Sequence, residues 1–279
     1  MSNYHTQEVP HITHVELHVQ QLQLMSNFYQ QVIGLQQIEA DLHHTVLGSN
    51  GVPRITLTKT NNNPLRNSAG LYHIAFLLSS LPSLSRWLHY NINRGTPIYG
   101  ASDHHVSKAM YFTDPEGNGI EVYADTSDDT WYDKNHTIHM GTYPLDVDEL
   151  LALDTNKWNP QEEEIQIGHL HLRAKNLDKV ESFYSTLGFQ KTVDLGSAKF
   201  LSYQGYHHHI AVNSWGSHRL EEYDSSQPGI ASYTISMPDN IYQKLSLKGI
   251  KVNGLDTLER KPTRYITDPI GIRVYITSI

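Results

Sequence analysis

The sequence predicts an α+β protein made of four tandem βαβββ modules, which pair into two open, curved sheets, each a half-barrel. Three observations predict this fold: a duplication within the chain, a strand–helix–strand order that occurs twice in each half, and a globular composition. The 279 residues are 38% hydrophobic and 18% charged, which is usual for a folded soluble chain. This length corresponds to about two domains of roughly 150 residues each.

The duplication is visible as two pairs of matching segments at a nearly constant offset. Residues 12–33 match 167–187 at an offset of 155 positions, and residues 111–123 match 265–275 at 154. The matched pairs are His14 and His169, Leu22 and Leu177, Phe28 and Phe183, Tyr29 and Tyr184, Tyr111 and Tyr265, and Asp114 and Asp268. A fixed offset of this kind indicates a tandem repeat. We therefore expect one domain over 8–125, a second over 165–279, and an interdomain connection over 126–164.

Each half is itself double. The alternating segment GLYHIAFLL, 70–78, predicts a strand, and SLPSLSRWLHYNINRG then predicts a helix with Leu81, Leu84, Leu88 and Ile92 on one stripe. GIASYTISM, 229–237, begins the last module in the same way. One module is too small to be stable alone, so two modules are expected to share a sheet. We expect modules one and two to form the first domain, and modules three and four the second.

Composition excludes several classes of function. The absence of Cys excludes disulfides, thiolate metal sites and a Cys nucleophile. The net charge of −8 argues against a nucleic-acid surface, which would be basic. No apolar run of 18 residues and no signal-peptide pattern occurs, so we expect no membrane partner and a cytoplasmic location. The oligomeric state stays open, a homo-oligomer included.

The 18 His residues make imidazole and carboxylate the ligands to look for in a Cys-free chain. Successive strand residues point to opposite faces, so apolar faces pack under the helices and polar faces converge across the curved sheet. The predicted apolar faces carry Val15, Leu17, Val19, Ile74, Phe76, Ile120 and Val122. The opposite faces carry His14, His73 and Glu121. Two imidazoles and one carboxylate form the facial triad of non-haem Fe(II) sites, and Mn(II) or Zn would also fit.

The second half provides an internal comparison for this triad. His169 matches His14, but Ser232 takes the position of His73, and Arg273 takes the position of Glu121. A guanidinium at that position would repel a divalent cation. We therefore expect a metal site in the first domain and a degenerate site in the second.

These residues carry a family resemblance. The modular repeat resembles the vicinal oxygen chelate superfamily, which includes glyoxalases, resistance proteins and extradiol dioxygenases, and it is most similar to two-domain proteins of the catechol 2,3-dioxygenase type. The segment 100–125, GASDHHVSKAMYFTDPEGNGIEVYAD, also resembles the extradiol signature. The residues that match it are His104, Met110, Tyr111, Asp114, Pro115, Gly117 and Glu121. Ser102 departs from the signature.

The resemblance implies an Fe(II)-dependent extradiol dioxygenase that cleaves a small aromatic diol with O₂. It implies His14, His73 and Glu121 as iron ligands. Tyr111 would then hydrogen-bond the catecholate or oxygen bound at the metal, and His104 would lie behind the ligands or at the substrate entrance. Tyr72, Tyr99 and Phe112 are candidates for the wall of an apolar pocket, or for core packing.

Two features depart from the family pattern and leave other functions open. Familiar two-domain extradiol enzymes hold iron in the second domain, and they carry an acid–base His on the last strand of the metal domain's first module. Here that strand is GVPRITLTK, 51–59, which has no His and also lacks the extra acid of a glyoxalase-like site. The alternatives are another metal-dependent reaction, such as isomerisation or thiol transfer, and a non-catalytic binding or resistance protein.

The triplet His207-His208-His209 falls on the equivalent strand of the third module. Strand alternation places His208 on one face and its two neighbours on the other. The triplet is either part of a second or relic metal site with His169, or a locally hydrogen-bonded cluster at a strand end or a domain interface.

Overall fold

The computed structural model describes residues 4–64, 67–135, 137–216, 219–245, 251–255 and 262–279. The four predicted modules are present, each with a strand, a helix and three further strands. The first comprises β1 His11–Val19, α1 Leu22–Phe28 followed by a π-helical turn Tyr29–Ile33, β2 Gln36–Ala40, β3 His44–Ser49 and β4 Val52–Lys59. The second comprises β5 Gly70–Leu77, α2 Leu81–Asn93, β6 Gly100–Asp103, β7 Ser107–Thr113 and β8 Gly119–Asp125.

The connection and the second half follow in the same order. The connection carries a 3₁₀ turn Asp128–Thr130, β9 Tyr143–Pro144 and α3 Val147–Leu151. The third module comprises β10 Gln166–Arg173, α4 Leu177–Thr186, β11 Gln190–Asp194, β12 Ala198–Ser202 and β13 Ile210–Asn213. The fourth comprises β14 Gly229–Met237, α5 Asp239–Tyr242, β15 Lys251–Leu255, β16 Pro262–Thr267 and β17 Arg273–Ser278.

The helix α2 shows how local sequence sets an element. The Ser80 hydroxyl accepts a hydrogen bond from the Ser83 N–H, which caps the first turn. Leu84 and Leu88 are buried as predicted, but Ile92 is half exposed. Trp87 completes the buried face instead, because its indole N–H donates to the Val32 carbonyl of the first module. The apolar stripe is therefore rotated by part of a turn from the predicted one.

The modules pair differently from the prediction. One sheet has the order β15-β16-β17-β14-β1-β4-β3-β2, which joins the first module to the fourth. The other has the order β11-β12-β13-β10-β5-β8-β7-β6-β9, which joins the second module to the third. The physical reason is that alternation fixes the face of each strand but not its partner, and all four modules present a similar first strand. Each sheet therefore takes one module from each half of the chain.

The strand faces themselves are as predicted. Val15, Leu17 and Val19 are fully buried, and their apolar faces join the helices in one continuous core that includes Ile74 and Phe76. The alternate positions of β5, β8 and β10 face the other way. The nine-stranded sheet thus presents polar side chains on the side opposite to the helices. None of the helices within the described ranges is long and apolar enough to cross a bilayer.

Candidate metal centre

Three buried side chains from neighbouring strands meet on the inner face of the nine-stranded sheet. His73 lies on β5, Glu121 on β8 and His169 on β10. Their positions follow from strand register, because Ala75 pairs with Glu121 on one side and with His169 on the other. Side chains at the same level and of the same parity point to one face. The small Ala75 side chain between them leaves the space above the sheet open.

The ligand atoms form a nearly equilateral triangle. The Nε2 atoms of His73 and His169 lie 3.1 and 3.2 Å from Glu121 Oε2, and 3.3 Å from each other. Ligands at about 2.1 Å from one ion stand about 3.0 Å apart in an octahedral cis arrangement and about 3.4 Å apart in a tetrahedral one. The triangle therefore fits a divalent cation of either geometry. Within the described residues, no other His, Cys, Asp or Glu group of three is as closely clustered.

The structure does not bring His14 to His73 and Glu121. His14 lies on β1 of the eight-stranded sheet, where its Nε2 is 2.9 Å from Thr56 Oγ1. The expectation that His14 is a ligand is therefore wrong. The physical reason is that the modules pair differently from the prediction, as described above. His169, the repeat equivalent of His14, occupies the position that the prediction gave to His14.

The predicted degenerate positions come together in the other sheet. Ser232 pairs with Arg273 across β14 and β17, and it faces Glu16 of β1, to which its hydroxyl donates. Arg273 is exposed and lies 5.1 Å from the ring centre of Tyr265. This sheet thus contains the imidazole of His14 but neither of the other two ligand types at the equivalent places. The repeat correctly identified the residue types that replace the ligands. The degenerate positions, however, lie in the sheet formed by modules one and four, and not in one formed by modules three and four.

The charges at the triangle suit a cation. Burial opposes ionisation of Glu121, but the two imidazoles that face its carboxylate hold its pKa well below the usual range. Burial lowers the pKa of His169 to about 4, so that imidazole is neutral at pH 7. A neutral imidazole and an ionised carboxylate are the protonation states that bind a metal ion.

The triangle lies in a cavity of about 730 Å³. A cavity of this size accommodates a small aromatic molecule. Aromatic and apolar side chains form much of its described lining: Tyr72, Tyr99, Tyr111, Met140, Leu195, Phe200 and Trp215. Tyr72 and Tyr99 thus contribute to the wall, whereas the Phe112 side chain packs in the core under the helices, with its ring centre 5.8 Å from that of Trp87. Met140 and its neighbours come from the connection, which adds β9 to the edge of the sheet.

The two residues predicted from the signature, Tyr111 and His104, are hydrogen-bonded to each other in this cavity. His104 Nδ1 lies 2.6 Å from the Gly141 carbonyl, so this nitrogen carries the proton in the neutral ring. Its Nε2 then accepts from the Tyr111 hydroxyl at 2.6 Å. Burial and then the charge of Glu121 raise the pKa of Tyr111, which keeps it a neutral phenol. The phenol oxygen retains lone pairs that can accept a hydrogen bond inside the cavity.

His208, another imidazole that lines the cavity, is held in place by a buried proton relay formed with His207 and Asp125. His207 Nε2 is 2.9 Å from Asp125 Oδ1, and His207 Nδ1 is 2.8 Å from His208 Nδ1. Since the carboxylate only accepts, a neutral His207 carries its proton on Nε2, and its bare Nδ1 accepts from His208 Nδ1–H. His208 Nε2 is then unprotonated. Burial lowers the pKa of His208, so the ring stays neutral.

Of the triplet, His208 lines the cavity, and the predicted alternation of faces does not apply because none of the three residues lies in a strand. His208 faces the cavity, with its ring centre 4.1 Å from that of His169. His209 turns away and has its Nε2 3.0 Å from the Tyr4 carbonyl oxygen. All three residues precede β13 rather than lying within it. The triplet therefore combines one cavity imidazole with two locally hydrogen-bonded ones.

Sequence reasoning missed His169 and His208 as members of this site, although both signals were present. His169 was recognised as the repeat of His14, and His208 was noted in its triplet. The sequence placed the acid–base position on the last strand of the first module, residues 51–59, which contains no His. In the structure, the strand parallel to β10 in the metal-bearing sheet is β13 of the third module, and His208 lies two residues before that strand begins.

Curved sheets made of βαβββ modules, with two imidazoles and a carboxylate on the inner face, are the architecture of the vicinal oxygen chelate proteins. The comparisons with known proteins agree with this class. The sequence profile described as Glyoxalase/Bleomycin resistance protein/Dioxygenase superfamily matches residues 11–122. The chain belongs to this superfamily.

Relatives at the level of sequence and of structure cover the chain almost completely. The Bacillus subtilis (strain 168) protein named catechol-2,3-dioxygenase is 33% identical over 98% of both chains. A solved structure of a Bacillus subtilis protein superposes with a TM-score of 0.66 at 13% identity, over 98% of this chain and 86% of that one. Glyoxalase I from Zea mays superposes with a TM-score of 0.57 at 15% identity, over 99% and 95%. The two solved structures show a shared fold.

Proposed function

We propose that this protein is an Fe(II)-dependent extradiol dioxygenase that cleaves the ring of a catechol-type diol with O₂. The observation that carries the proposal is the triangle of His73, Glu121 and His169 at the base of an aromatic-lined cavity. Two imidazoles and one carboxylate with open positions are typical of non-haem Fe(II) oxygenases. The relative named catechol-2,3-dioxygenase supports the same reaction.

In this proposal, His73, Glu121 and His169 hold the iron. When bound, Fe(II) supplies the redox chemistry that couples a diol to O₂. The chain itself binds and orients the diol and excludes water, since apolar side chains such as Phe200 and Trp215 wall the cavity. The Tyr111 oxygen accepts a hydrogen bond from a diol hydroxyl, because its own proton is donated to His104.

His208 moves the proton in this proposal. Its unprotonated Nε2 is the free nitrogen of an imidazole that lines the cavity, so it can accept the proton that a diol hydroxyl loses on binding. The proton then resides on a ring whose other nitrogen is hydrogen-bonded to His207, and Asp125 stabilises the resulting positive charge. The same proton is available for return to the leaving oxygen later in the reaction.

The donor set favours this reaction over a glyoxalase-like one. A glyoxalase-like site would need a second acid on the strand beside β10, and that strand, β13, has the sequence IAVN. Mn(II) and Zn remain compatible with the same three ligands. Metal analysis of protein purified without oxygen, followed by oxygen uptake with a panel of catechols, separates these cases. We expect one iron per chain and one O₂ consumed per diol, with a yellow ring-opened product.

The repeat supplies a matched pair of variants for the site. We expect His169→Ala to lose both iron and oxygen uptake, whereas His14→Ala, its repeat equivalent in the other sheet, keeps both. His73→Ala is expected to behave like His169→Ala. Ring cleavage that survives in His73→Ala or His169→Ala would contradict the site. Turnover with Zn but without oxygen uptake would instead support isomerisation or thiol transfer, and tight diol binding by a metal-free protein would support a binding protein.

A further inference from the structure

The cavity contains one permanent cation whose charge is not used by the triangle or by the proton relay. Among the described lining residues, Arg173 is the only Arg or Lys, and Glu121 is the only carboxylate. Arg173 ends β10, the strand that carries His169. Within the part of the chain that the structure describes, its Nε is buried without a hydrogen-bond partner and no carboxylate forms an ion pair with it. A partly buried guanidinium without an anion has lost hydration that no charged partner replaces.

The position of Arg173 relates it to a diol bound at the triangle. The Tyr72 ring is close to both the triangle and Arg173: its centre is 5.4 Å from the His73 ring centre and 5.3 Å from the guanidinium carbon. Trp215, which also lines the cavity, has its ring centre 5.3 Å from that of Tyr72. An aromatic ring with its diol at His73 would lie along Tyr72, with a short substituent directed at Arg173.

Stacking on Tyr72 does not by itself explain this Arg, because the chain contains a similar pair without a cavity. Arg94 also lies 5.3 Å from a tyrosine ring centre, that of Tyr90. That guanidinium is on the surface and donates to Gln31 Oε1 at 3.1 Å. Arg173 and Arg94 therefore lie at the same distance from a tyrosine ring centre, but they differ in burial and in polar partners.

We propose that Arg173 binds an anionic substituent of the substrate, so that the preferred substrates are catechols with a carboxylate on a short side chain. This inference rests on the proposed function for the position of the diol. A guanidinium pairs with a carboxylate through two parallel hydrogen bonds, which gives orientation as well as affinity. The pair would fix the ring with its two hydroxyls toward the triangle.

The test uses 4-substituted catechols whose carboxylate is attached directly, through one methylene or through two, each compared with its neutral primary amide. Binding to the iron-loaded protein is measured by calorimetry without oxygen, and ring opening by oxygen uptake. We expect at least one acid to bind roughly ten- to a hundredfold more tightly than its amide, as for a hydrogen bond to a charged group. The preference should fall with added salt, because part of it is Coulombic.

Variants assign the preference to Arg173. Arg173→Met should bring the acid and its amide to equal affinity, and Arg173→Lys should keep a reduced preference, which also guards against a folding defect in the Met variant. Arg94→Met, the matched surface pair, should keep the full preference. Equal binding of every acid and its amide by the unaltered protein would overturn the inference, as would an acid preference that survives in Arg173→Met.

The same measurements test the proposed function independently of the role of Arg173. Ring opening of unsubstituted catechol without any acid preference would reject the role of Arg173 and leave the dioxygenase proposal standing. An acid preference that depends on Arg173, in a protein that opens no diol ring, would support the anion site and reject the dioxygenase.

Discussion

At the scale of single residues, the protonation state of His208 depends on partners that do not line the cavity. The chain of hydrogen bonds from Asp125 through His207 to His208 fixes which nitrogen of each ring carries the proton. A carboxylate at the end of such a chain orients the imidazoles and stabilises the charge that forms on them. The cavity therefore contains a proton acceptor whose orientation is set by two residues outside the cavity lining.

This arrangement predicts a separation of metal binding from turnover. His208→Phe should lower kcat/KM for ring opening by about a hundredfold or more, the usual contribution of a positioned general base. Iron content should not change, because the His208 ring is not one of the three ligands. Oxygen uptake and metal analysis on the same sample measure both.

The adjacent His209 is the control for that experiment. It hydrogen-bonds the Tyr4 carbonyl away from the cavity, so His209→Phe should reduce stability but leave kcat/KM within about threefold. Full activity of His208→Phe would eliminate His208 as the proton acceptor. Loss of iron in that variant would instead make it a ligand.

At the scale of elements, the repeat made much of the fold predictable. The offset between Asp114 and Asp268 located equivalent turns, and the structure shows the same contact in each: Asp114 accepts from the Tyr29 hydroxyl, and Asp268 from Tyr184. Strand alternation likewise gave the correct faces of β1, β5 and β8. These features are local, since they depend on residues a few positions apart or on one repeat offset.

Strand pairing was not predictable in the same way. The first strands of all four modules alternate with the same parity, so the sequence allows β1 to pair with β5 or with β14. The choice depends on how whole modules pack, which no single motif encodes. This one ambiguity accounts for both errors in the site, the choice of His14 and the search for an acid–base His on β4.

The contact between β5 and β8 gives an element-scale prediction. A Cβ at Gly119 would collide with the Tyr72 carbonyl oxygen and lie 3.0 Å from the Cβ of His73. Gly119→Ala should therefore force the two strands apart, lower the free energy of unfolding by about 1–3 kcal/mol, and reduce iron content. Urea denaturation and metal analysis measure these effects.

Gly100→Ala is the matched change on β6, two strands away from β8 in the same sheet. The nearest atom to its added Cβ is Tyr111 Cβ at 3.6 Å, an ordinary contact. Its unfolding free energy should stay within about 0.5 kcal/mol of the unaltered protein. Equal stability of the two variants would show that the close approach of β5 and β8 at Gly119 does not limit packing.

At the scale of the whole molecule, the number of buried imidazoles makes stability depend on pH. Burial lowers the pKa of a set of six: His5, His11, His169, His171, His208 and His209. The pKa falls to about 4 for His11 and His169, and to about 3 for His209, whereas an unfolded His titrates near 6.5. Between about pH 4 and 6.5 the unfolded chain thus binds more protons at these sites.

Two carboxyl groups act in the opposite direction. Burial raises the pKa of Asp114 and of Asp268 to about 6, so between about pH 4 and 6 the folded chain holds protons at these positions that the unfolded chain releases. Each of them therefore adds stability as the pH falls. Because six imidazoles oppose two carboxyl groups, the net effect of acid is destabilising.

We therefore expect the metal-free protein to lose stability steeply below pH 6.5. Each net proton taken up on unfolding lowers the unfolding free energy by about 1.4 kcal/mol per pH unit. A net uptake of several protons would therefore exhaust a total stability of about 5–15 kcal/mol within a few pH units. Urea midpoints at pH 7.5, 6.5 and 5.5, followed by circular dichroism, measure the slope. His11→Gln should reduce the slope by about one proton, and a urea midpoint that stays constant over this range would show that the buried imidazoles are protonated in the folded chain.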